Sequence, residues 1–228
     1  MIPLRKAASA EDSTELRRAV IATAVAMNTA GINVNTSGNV SARCMRGARA
    51  GFLITPSGLA YGKLAVADLV FVDDAEATTG GRRPSSEWRF HFAIYAARAD
   101  AGAIVHTHSP HATALACQQL DIPSFHYMVA VAGGNDIRCA QYATFGTQEL
   151  ADHALAALES RRACLLAHHG VIACGVDLDR AFALAVEVEN LAQTYIAVRA
   201  LGAPKLLSDD EMRRVLERFA AYGQAAGA

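Results

Sequence analysis

Apolar positions recur along the chain with two different periods, and together these periods predict an α/β protein. Helical spacing predicts helices over residues 13–30, 84–98, 147–160, 178–200 and 208–222, and a further helix that starts at Pro110. Short apolar runs predict strands over residues 52–58, 68–72, 101–105 and 163–166, the first of them running into a turn. The strands show no regular βαβ alternation, so we expect a single domain over residues 1–228 in which helices cover a central mixed or antiparallel sheet.

Three segments have neither period and are predicted to lie outside the regular elements. Residues 36–41 are small and polar and are predicted to form a loop and no part of the core. Residues 76–83 are predicted to form a loop or the tip of a hairpin. Residues 128–146, which are rich in glycine and alanine, are predicted to be irregular.

The composition is that of a globular protein, with 52% hydrophobic and 19% charged residues among 228. A formal net charge of −1 gives no reason to expect binding to nucleic acid or to an anionic membrane. No apolar run approaches the roughly 20 residues that span a bilayer, and the first six residues lack a hydrophobic signal core, so we expect a cytoplasmic protein. The five cysteines form no C-x-x-C pair, which in that compartment favours reduced thiols.

The strongest chemical signal is the H-x-H motif of His106 and His108, at the end of a predicted strand. Alternation along a strand places both imidazoles on one face, where they can reach a single metal ion. A second pair, His168 and His169, follows another predicted strand, and the spacing leaves open which of the two would join the site. Three imidazoles with one open position are typical of catalytic zinc, whereas closed structural sites are usually rich in cysteine.

A carboxylate and several polar turns accompany these histidines. Glu87 lies at a predicted helix start, where the helix dipole favours the ionised form, and a carboxylate near a metal serves as a ligand, a general base or both. The turns at 37–39, 55–58 and 84–86 offer hydroxyl groups and free backbone N–H groups, which bind phosphate without lysine. Each turn taken alone is equally typical of an ordinary turn.

Eight motifs resemble those of the class II aldolase/adducin family. They are S-G-N-V-S at 37–41, T-P-S-G at 55–58, P-S-S-E-W-R-F-H at 84–91, H-T-H at 106–108, H-Y-M at 126–128, A-G-G-N at 132–135, Y-A-T-F-G-T at 142–147 and A-H-H-G-V-I-A at 167–173. The likeness extends over nearly the whole chain, and the spacing between most motifs is kept. It is greatest to the branch of the family that cleaves L-fuculose 1-phosphate.

The resemblance implies one zinc ion per subunit, held by His106, His108 and His169. It implies that Glu87 is the catalytic acid and base. It also implies a set of residues that hold the phosphate of the substrate, namely Asn39, Ser57, Gly58, Ser85 and Ser86.

The resemblance further implies a cyclic homotetramer with active sites between subunits. In such an assembly Tyr127 acts from the adjacent chain as a catalytic proton donor, and Tyr222, near the C-terminus, orients the aldehyde. Two departures from the family pattern stand out: the segment 43–51 is predicted to be a longer loop, and Ser57 replaces a threonine.

The implied reaction is the cleavage of a ketose 1-phosphate, with L-fuculose 1-phosphate as the expected substrate. The products are dihydroxyacetone phosphate and L-lactaldehyde, formed through a metal-stabilised enediolate. One alternative is a pentulose-5-phosphate 4-epimerase, in which aspartate is usual where this chain has Glu87. A second is a sugar-acid phosphate decarboxylase, in which lysine is usual in place of Ser86. The third is a non-catalytic adducin-like binding module, although nothing structural requires the complete set of three histidines and Glu87.

Overall fold

The computed structural model describes residues 10–222, with side chains as far as Ala220. Its α-helices are α1 (Thr14–Thr29), α2 (Trp88–Ala97), α3 (Pro110–Cys117), α4 (Gln148–Ala157), α5 (Leu178–Leu201) and α6 (Asp209–Tyr222). Its strands are β1 (Ala10–Glu11), β2 (Asn39–Arg46), β3 (Arg49–Ile54), β4 (Val70–Asp73), β5 (Thr78–Thr79), β6 (Ala103–Thr107), β7 (Cys139–Ala140), β8 (Ala163–Leu166) and β9 (Gly170–Gly175). Short 3₁₀ helices span Tyr61–Lys63, Val66–Asp68 and Tyr127–Ala132.

All the strands in the described part of the chain join one sheet. Their order is β5-β4-β3-β2-β6-β9-β8-β7, and β1 pairs with the far end of β2. The pairs β1–β2 and β7–β8 are parallel, and every other pair is antiparallel. The prediction of a mixed sheet is therefore confirmed.

Helices cover both faces of the sheet because its strand residues alternate between two apolar clusters. Val40, Val105 and their neighbours pack beneath α1, α3 and α5. Phe52, Ile104 and their neighbours pack against α2 and α4, on what we call the α2 face. Both faces are buried, which explains why several strands are continuous apolar runs. None of the helices in the described range is long and apolar enough to cross a membrane.

The prediction of a loop over residues 36–41 is wrong, because β2 begins at Asn39. Its first residues are polar, yet Asn39 and Ser41 are 2% and 0% exposed. Polar side chains are buried in this way when other buried groups satisfy their hydrogen bonds, and here the partners lie on α2. The prediction of a longer loop over residues 43–51 is also wrong. Strands β2 and β3 include most of this segment and leave only a two-residue turn between them.

Two further differences concern the elements that carry the candidate site. The helix predicted from residue 84 begins at Trp88, and the preceding residues form a turn that makes a β-bridge from Pro84 to Pro56. Strand β9 has no counterpart among the predictions, because its apolar run is short and has glycine at both ends. The strands predicted around residues 101–105 and 163–166 and the helix starting at Pro110 are confirmed.

Candidate active site

His106 lies in the middle of the sheet, on the α2 face. Strand β6 is flanked by β2 and β9, and His106 is paired with Asn39 on one side and Ile172 on the other. Its side chain is completely buried. The strand ends one residue later, so His108 extends from the end of the strand, and its ring centroid lies 5.0 Å from that of His106.

His169 reaches the same point from the short turn between β8 and β9. Its N–H donates to the carbonyl of Leu166 at 3.0 Å, and its ring centroid lies 4.9 Å from those of both His106 and His108. The preceding His168 has a φ of +56°, and this left-handed conformation directs its ring away from the cluster, towards Gln119. The structure therefore places the ring of His169, and not that of His168, beside His106 and His108.

Two glycines allow the backbone to close tightly around these histidines. A Cβ atom at Gly38 would collide with the carbonyl oxygen of His106, and one at Gly170 would collide with that of Thr107. Any side chain at either position would push β2 or β9 away from β6. The histidine positions therefore depend on glycine in both neighbouring segments.

Glu87 is the residue immediately before α2, and its side chain points inward. The residue is 5% exposed, and its N–H donates to Oγ of Ser85 at 3.3 Å. Its carboxylate lies close to two rings, with Oε2 3.1 Å from Nε2 of His106 and Oε1 2.9 Å from Nε2 of His169. Glu87 and the three histidines each offer one ligand atom, and these four atoms lie within 4.8 Å of one another.

The tautomer of His106 shows that this group fits a cation. Nδ1 of His106 lies 2.8 Å from the carbonyl oxygen of Val171, which can only accept, so Nδ1 carries a proton and Nε2 is the ring atom left to bind a cation. Nε2 lies 3.1 Å from Oε2 of Glu87 and 3.1 Å from Nε2 of His108. Nitrogen lone pairs and carboxylate oxygens that face one another repel unless a proton or a metal ion lies between them. This is the tautomer that metal-ligating histidines adopt, and the set of three imidazoles and one carboxylate suits zinc.

Burial and neighbouring charge act in opposite directions on the pKa of Glu87 and in the same direction on that of His108. Burial raises the pKa of Glu87, but positive charge at His106 and contacts with His106 and His169 outweigh it, so the pKa lies well below its usual range. Burial and the charges of the two neighbouring imidazoles lower the pKa of His108 to about 3. Glu87 is therefore ionised and His108 is neutral at physiological pH, which are the protonation states that bind a metal.

The buried His91 on α2 gives a testable pH dependence. Burial, followed by the charge of His106, lowers the pKa of His91 from 6.5 to about 3. Below pH 6.5 the unfolded chain takes up a proton that the folded protein excludes, so the stabilisation is fully present above pH 6.5 and is lost as the pH falls towards 3.

We expect the free energy of unfolding of the unmodified protein to fall more steeply with acid than that of His91→Gln. The excess should be roughly 2–3 kcal/mol between about pH 7 and pH 4.5. Urea unfolding of both proteins at several pH values measures it. Parallel pH dependences would show that His91 does not titrate as its burial requires.

The predicted phosphate turns lie side by side. Ser57 N–H donates to the carbonyl of Arg83, and Ser85 N–H donates to that of Thr55, so the two turns are joined. Ser57 and Ser86 are exposed, whereas Ser85 is buried. The amide of Asn39 points to Glu87 and to α2.

A cavity of about 270 Å³ lies in front of the cluster. Ser86, Glu87, His108 and His169 line one part of it, and its remaining lining comes from Ser37, Tyr142, Ala143, Phe145 and His168. Tyr142 and Phe145, to which no role is assigned from the sequence, are 57% and 65% exposed. Two exposed aromatic side chains within a glycine- and alanine-rich segment are the signal that could have found them.

The two predicted catalytic tyrosines do not line this cavity. Tyr127 is 50% exposed and lines a separate groove of about 1000 Å³, together with residues of α6. Tyr222 is the last residue of α6, and its side chain lies outside the described residues. Their predicted roles therefore stay predictions.

Comparison with known proteins agrees with this geometry. The sequence model of the family described as "Class II Aldolase and Adducin N-terminal domain" matches residues 18–196. A 5-methylthioribulose-1-phosphate/5-deoxyribulose-1-phosphate aldolase from Rhodospirillum rubrum is 55% identical over 92% of this chain and 94% of its own. An L-fuculose phosphate aldolase from Escherichia coli is 49% identical over 93% and 97%. A solved structure of an L-fuculose 1-phosphate aldolase superposes with a TM-score of 0.87 at 39% identity, covering 91% of this chain and 97% of that one.

The chain therefore belongs to the class II aldolase and adducin family. Within that family it is an aldolase, an aldehyde-lyase, as are the relatives that match nearly its whole length. Class II aldolases depend on a metal, and the group of Glu87 and three histidines could hold one. The predictions of an enzyme and of this fold are confirmed.

Proposed function

We propose that this protein is a zinc-dependent aldolase that cleaves a ketose 1-phosphate into dihydroxyacetone phosphate and a small aldehyde. The first candidate substrate is L-fuculose 1-phosphate, which would release L-lactaldehyde. The observation that carries the proposal is the convergence of the Glu87 carboxylate with the imidazoles of His106, His108 and His169, whose ligand atoms lie within 4.8 Å of one another. These groups would bind a cation at the inner end of the cavity of about 270 Å³, which is large enough for a small substrate.

His106, His108 and His169 would hold the zinc ion through their Nε2 atoms. A zinc ion bound there would supply a Lewis acid that stabilises negative charge on the ketone fragment. The burial of His106 and the hydrogen bond from its Nδ1 atom to Val171 keep the ring oriented for this task.

Glu87 would transfer the proton to and from C3, the carbon that stays on dihydroxyacetone phosphate when the C3–C4 bond breaks. Oε1 lies 2.9 Å from Nε2 of His169 and, unlike Oε2, is not held by Asn39, so it is the oxygen assigned to proton transfer. In condensation the carboxylate would remove a proton from C3 of dihydroxyacetone phosphate, and in cleavage the carboxylic acid would return that proton. The other oxygen, Oε2, is fixed by Asn39 at 2.9 Å.

The substrate phosphate would bind at the joined turns, through Asn39, Ser57, Gly58, Ser85 and Ser86. Gly58 has a φ of +75°, a left-handed conformation of the kind that occurs in anion-binding nests. Ser86 lines the same cavity as Glu87, so a phosphate here would place the ketone next to the carboxylate. Asn39 would contribute at the inner end, where its amide already contacts Glu87.

A second candidate substrate is 5-deoxyribulose 1-phosphate or its 5-methylthio derivative. It is favoured by the 55% identity to the relative from Rhodospirillum rubrum that is named for these two sugars. All three sugars end in a carbon that carries no hydroxyl group, so each releases an aldehyde with an apolar end. The exposed rings of Tyr142 and Phe145 at the cavity suit such an end.

A substrate panel tests the proposal. Purified zinc-loaded protein is offered the three ketose 1-phosphates, and the release of dihydroxyacetone phosphate is measured by a coupled assay. Ribulose 5-phosphate, which lacks the 1-phosphate, is the matched control. We expect release from at least one ketose 1-phosphate and no change in the control. Epimerisation of ribulose 5-phosphate without release from any ketose 1-phosphate would overturn the proposal.

We propose further that the enzyme is a cytoplasmic homotetramer and that residues 1–228 form one domain. Tyr127 is half exposed and lines a groove distinct from the cavity, as expected of a residue that completes the site of an adjacent subunit. It would donate a proton to the aldehyde oxygen during condensation and, by microscopic reversibility, remove it during cleavage. Tyr222 would orient the aldehyde.

Mixed oligomers test the shared site. We expect Tyr127→Phe and Glu87→Gln to be nearly inactive as separate homo-oligomers, since each lacks one proton-transfer group. Refolding them together should restore about a quarter of the native activity in evenly mixed assemblies, because some sites then combine two intact residues. Native mass spectrometry verifies the mixing. Verified mixed oligomers without activity would contradict the shared site.

A further inference from the structure

A chain of buried polar side chains leads from Glu87 into the core, along the interface between α2 and β2. Nδ2 of Asn39 lies 2.9 Å from Oε2 of Glu87, and Oδ1 of Asn39 lies 2.5 Å from Nε2 of His91. Nδ1 of His91 lies 2.7 Å from Oγ of Ser41, which lies 2.8 Å from the hydroxyl of Tyr95. His91, Ser41 and Tyr95 are 0% exposed, so bulk solvent does not contact these side chains.

The direction of every hydrogen bond follows from the carboxylate at one end. Ionised Glu87 can only accept, so Asn39 presents its NH₂ group to Glu87 and its oxygen to His91. Nε2 of His91 must then carry the proton and donate, which leaves Nδ1 of the neutral ring as an acceptor. Ser41 donates to that nitrogen and accepts from the hydroxyl of Tyr95.

Strand and helix geometry explain why the contacts line up. Two residues along a strand span about 6.6 Å, and four along a helix span about 6.0 Å. Because these spacings nearly match, alternate residues of β2 lie opposite successive turns of α2. Asn39 meets His91, and Ser41 meets both His91 and Tyr95. One step further, Arg43 donates to the carbonyl of Tyr95 at 2.7 Å and lies 4.8 Å from the centre of its ring. This contact holds the far end of the chain in place.

The surroundings of the chain are apolar. The ring of His91 stacks with those of Phe90 and Phe52, at 4.6 and 6.4 Å between centroids. An apolar residue would fill this part of the core without the cost of burying polar groups, and partly satisfied polar networks are worse than none. Each of these polar side chains has a hydrogen-bond partner, and the last of them contacts the carboxylate of Glu87. The series of hydrogen bonds is therefore placed to fix the orientation of that carboxylate.

We propose that His91, together with Ser41 and Tyr95, forms a positioning relay that fixes the amide of Asn39 and thereby the orientation of the Glu87 carboxylate. This inference rests on the proposed role of Glu87. The relay holds Oε2 in a hydrogen bond with Asn39, which leaves Oε1, 2.9 Å from Nε2 of His169, as the oxygen for proton transfer. His91 is a positioning residue in this account, because it touches neither substrate nor metal.

The first test reads the tautomer of His91 without using activity. The ¹⁵N NMR spectrum of zinc-loaded protein with labelled histidine distinguishes Nε2–H from Nδ1–H, and the loss of a signal in His91→Gln assigns it. We expect neutral His91 with its proton on Nε2. A proton on Nδ1, or on both nitrogens at neutral pH, would overturn the relay.

The second test compares two replacements of His91. Phenylalanine keeps the ring and its stacking but removes both hydrogen bonds, whereas glutamine keeps a donor near the position of Nε2. At full zinc occupancy we expect His91→Phe to lower kcat by about ten- to hundredfold with little change in KM. Effects of this size are typical of residues that orient a catalytic group without contacting the substrate. His91→Gln should recover most of this loss. Tyr95→Phe, which removes only the outermost donor, should lower kcat less.

A matched control separates positioning from destabilisation. Ile94 is fully buried on α2 in the same apolar cluster but has no polar atom in its side chain. We expect Ile94→Ala to lower the Tm and to leave kcat unchanged at full zinc occupancy. If His91→Phe and His91→Gln also lower only the Tm, the residue is merely structural and the relay is wrong.

Glu87→Gln distinguishes failure of the relay from failure of the proposed function. A fully active Glu87→Gln protein would overturn the role of Glu87 and with it any effect of the relay on turnover. An inactive Glu87→Gln protein beside a fully active His91→Phe protein would overturn the relay alone. Zinc content, measured for each variant, must stay at the native level for either comparison.

Discussion

Glu87→Gln is expected to lose about 10³-fold of its turnover while it keeps its zinc. The substitution preserves the shape of the side chain and an oxygen for the hydrogen bond from Asn39, but it removes the group that carries the proton. The three imidazoles proposed to hold the metal are unchanged. The rate of dihydroxyacetone phosphate release and the zinc content per chain, measured on the same preparation, check both parts.

The control for this substitution is Glu159→Gln, which makes the same chemical change at an exposed position after α4. We expect it to have native turnover and native zinc content. A Glu87→Gln protein as active as this control would remove Glu87 from the proton transfer. A Glu87→Gln protein without zinc would instead make Glu87 primarily a ligand.

The second large effect is expected at one member of an adjacent pair of histidines. His169→Asn should lose most of its zinc at micromolar concentrations and, with it, nearly all turnover, because Asn is too short to replace Nε2 in the cluster. His168→Asn should keep one zinc per chain, since the ring of His168 points towards Gln119 and Tyr142.

Asparagine is the replacement of choice because residue 168 has a left-handed backbone, which Asn tolerates well. The two variants thus differ by one position and share the same chemical change. Zinc content by elemental analysis is the readout. Equal loss of zinc from both variants, or loss from His168→Asn alone, would contradict the assignment of His169.

The chemistry of the site could largely be predicted from the sequence because it depends on rare residue types. The H-x-H motif at the end of an apolar run predicts that His106 and His108 share a face, and their rings do lie together, since the geometry of a strand determines which side chains share a face. The turn residues before α2 similarly placed Glu87 beside a helix start. The choice between His168 and His169 could not be predicted, because it depends on the backbone conformation of a single residue in a turn.

The missed strands have a common physical cause. The residues at the start of β2 favour a loop because Asn39 and Ser41 are polar, and their hydrogen-bond partner on α2, His91, lies about 50 residues later in the chain. Periodicity is a local signal and does not report such partners. Strand β9 was missed because its apolar centre is short and it starts and ends with glycine, which local propensity assigns to turns.

The helices were predicted more accurately because their signals are local. The apolar stripe of α1 and the side-chain caps at Thr147 and Asp177 lie within or next to the elements they define. The exception is α2, which begins four residues later than predicted. There the serine-rich turn that resembles a helix start pairs with residues 55–57 instead.

The account rests on a metal ion held by three imidazoles beside Glu87, and chelation tests this directly. Zinc content and dihydroxyacetone phosphate release are measured on one preparation before chelation, after chelation and after stepwise return of zinc, with the best ketose 1-phosphate as substrate. We expect one zinc per chain, loss of turnover with loss of the metal, and recovery in proportion to the zinc rebound. Undiminished release from protein shown to contain no metal would contradict the account.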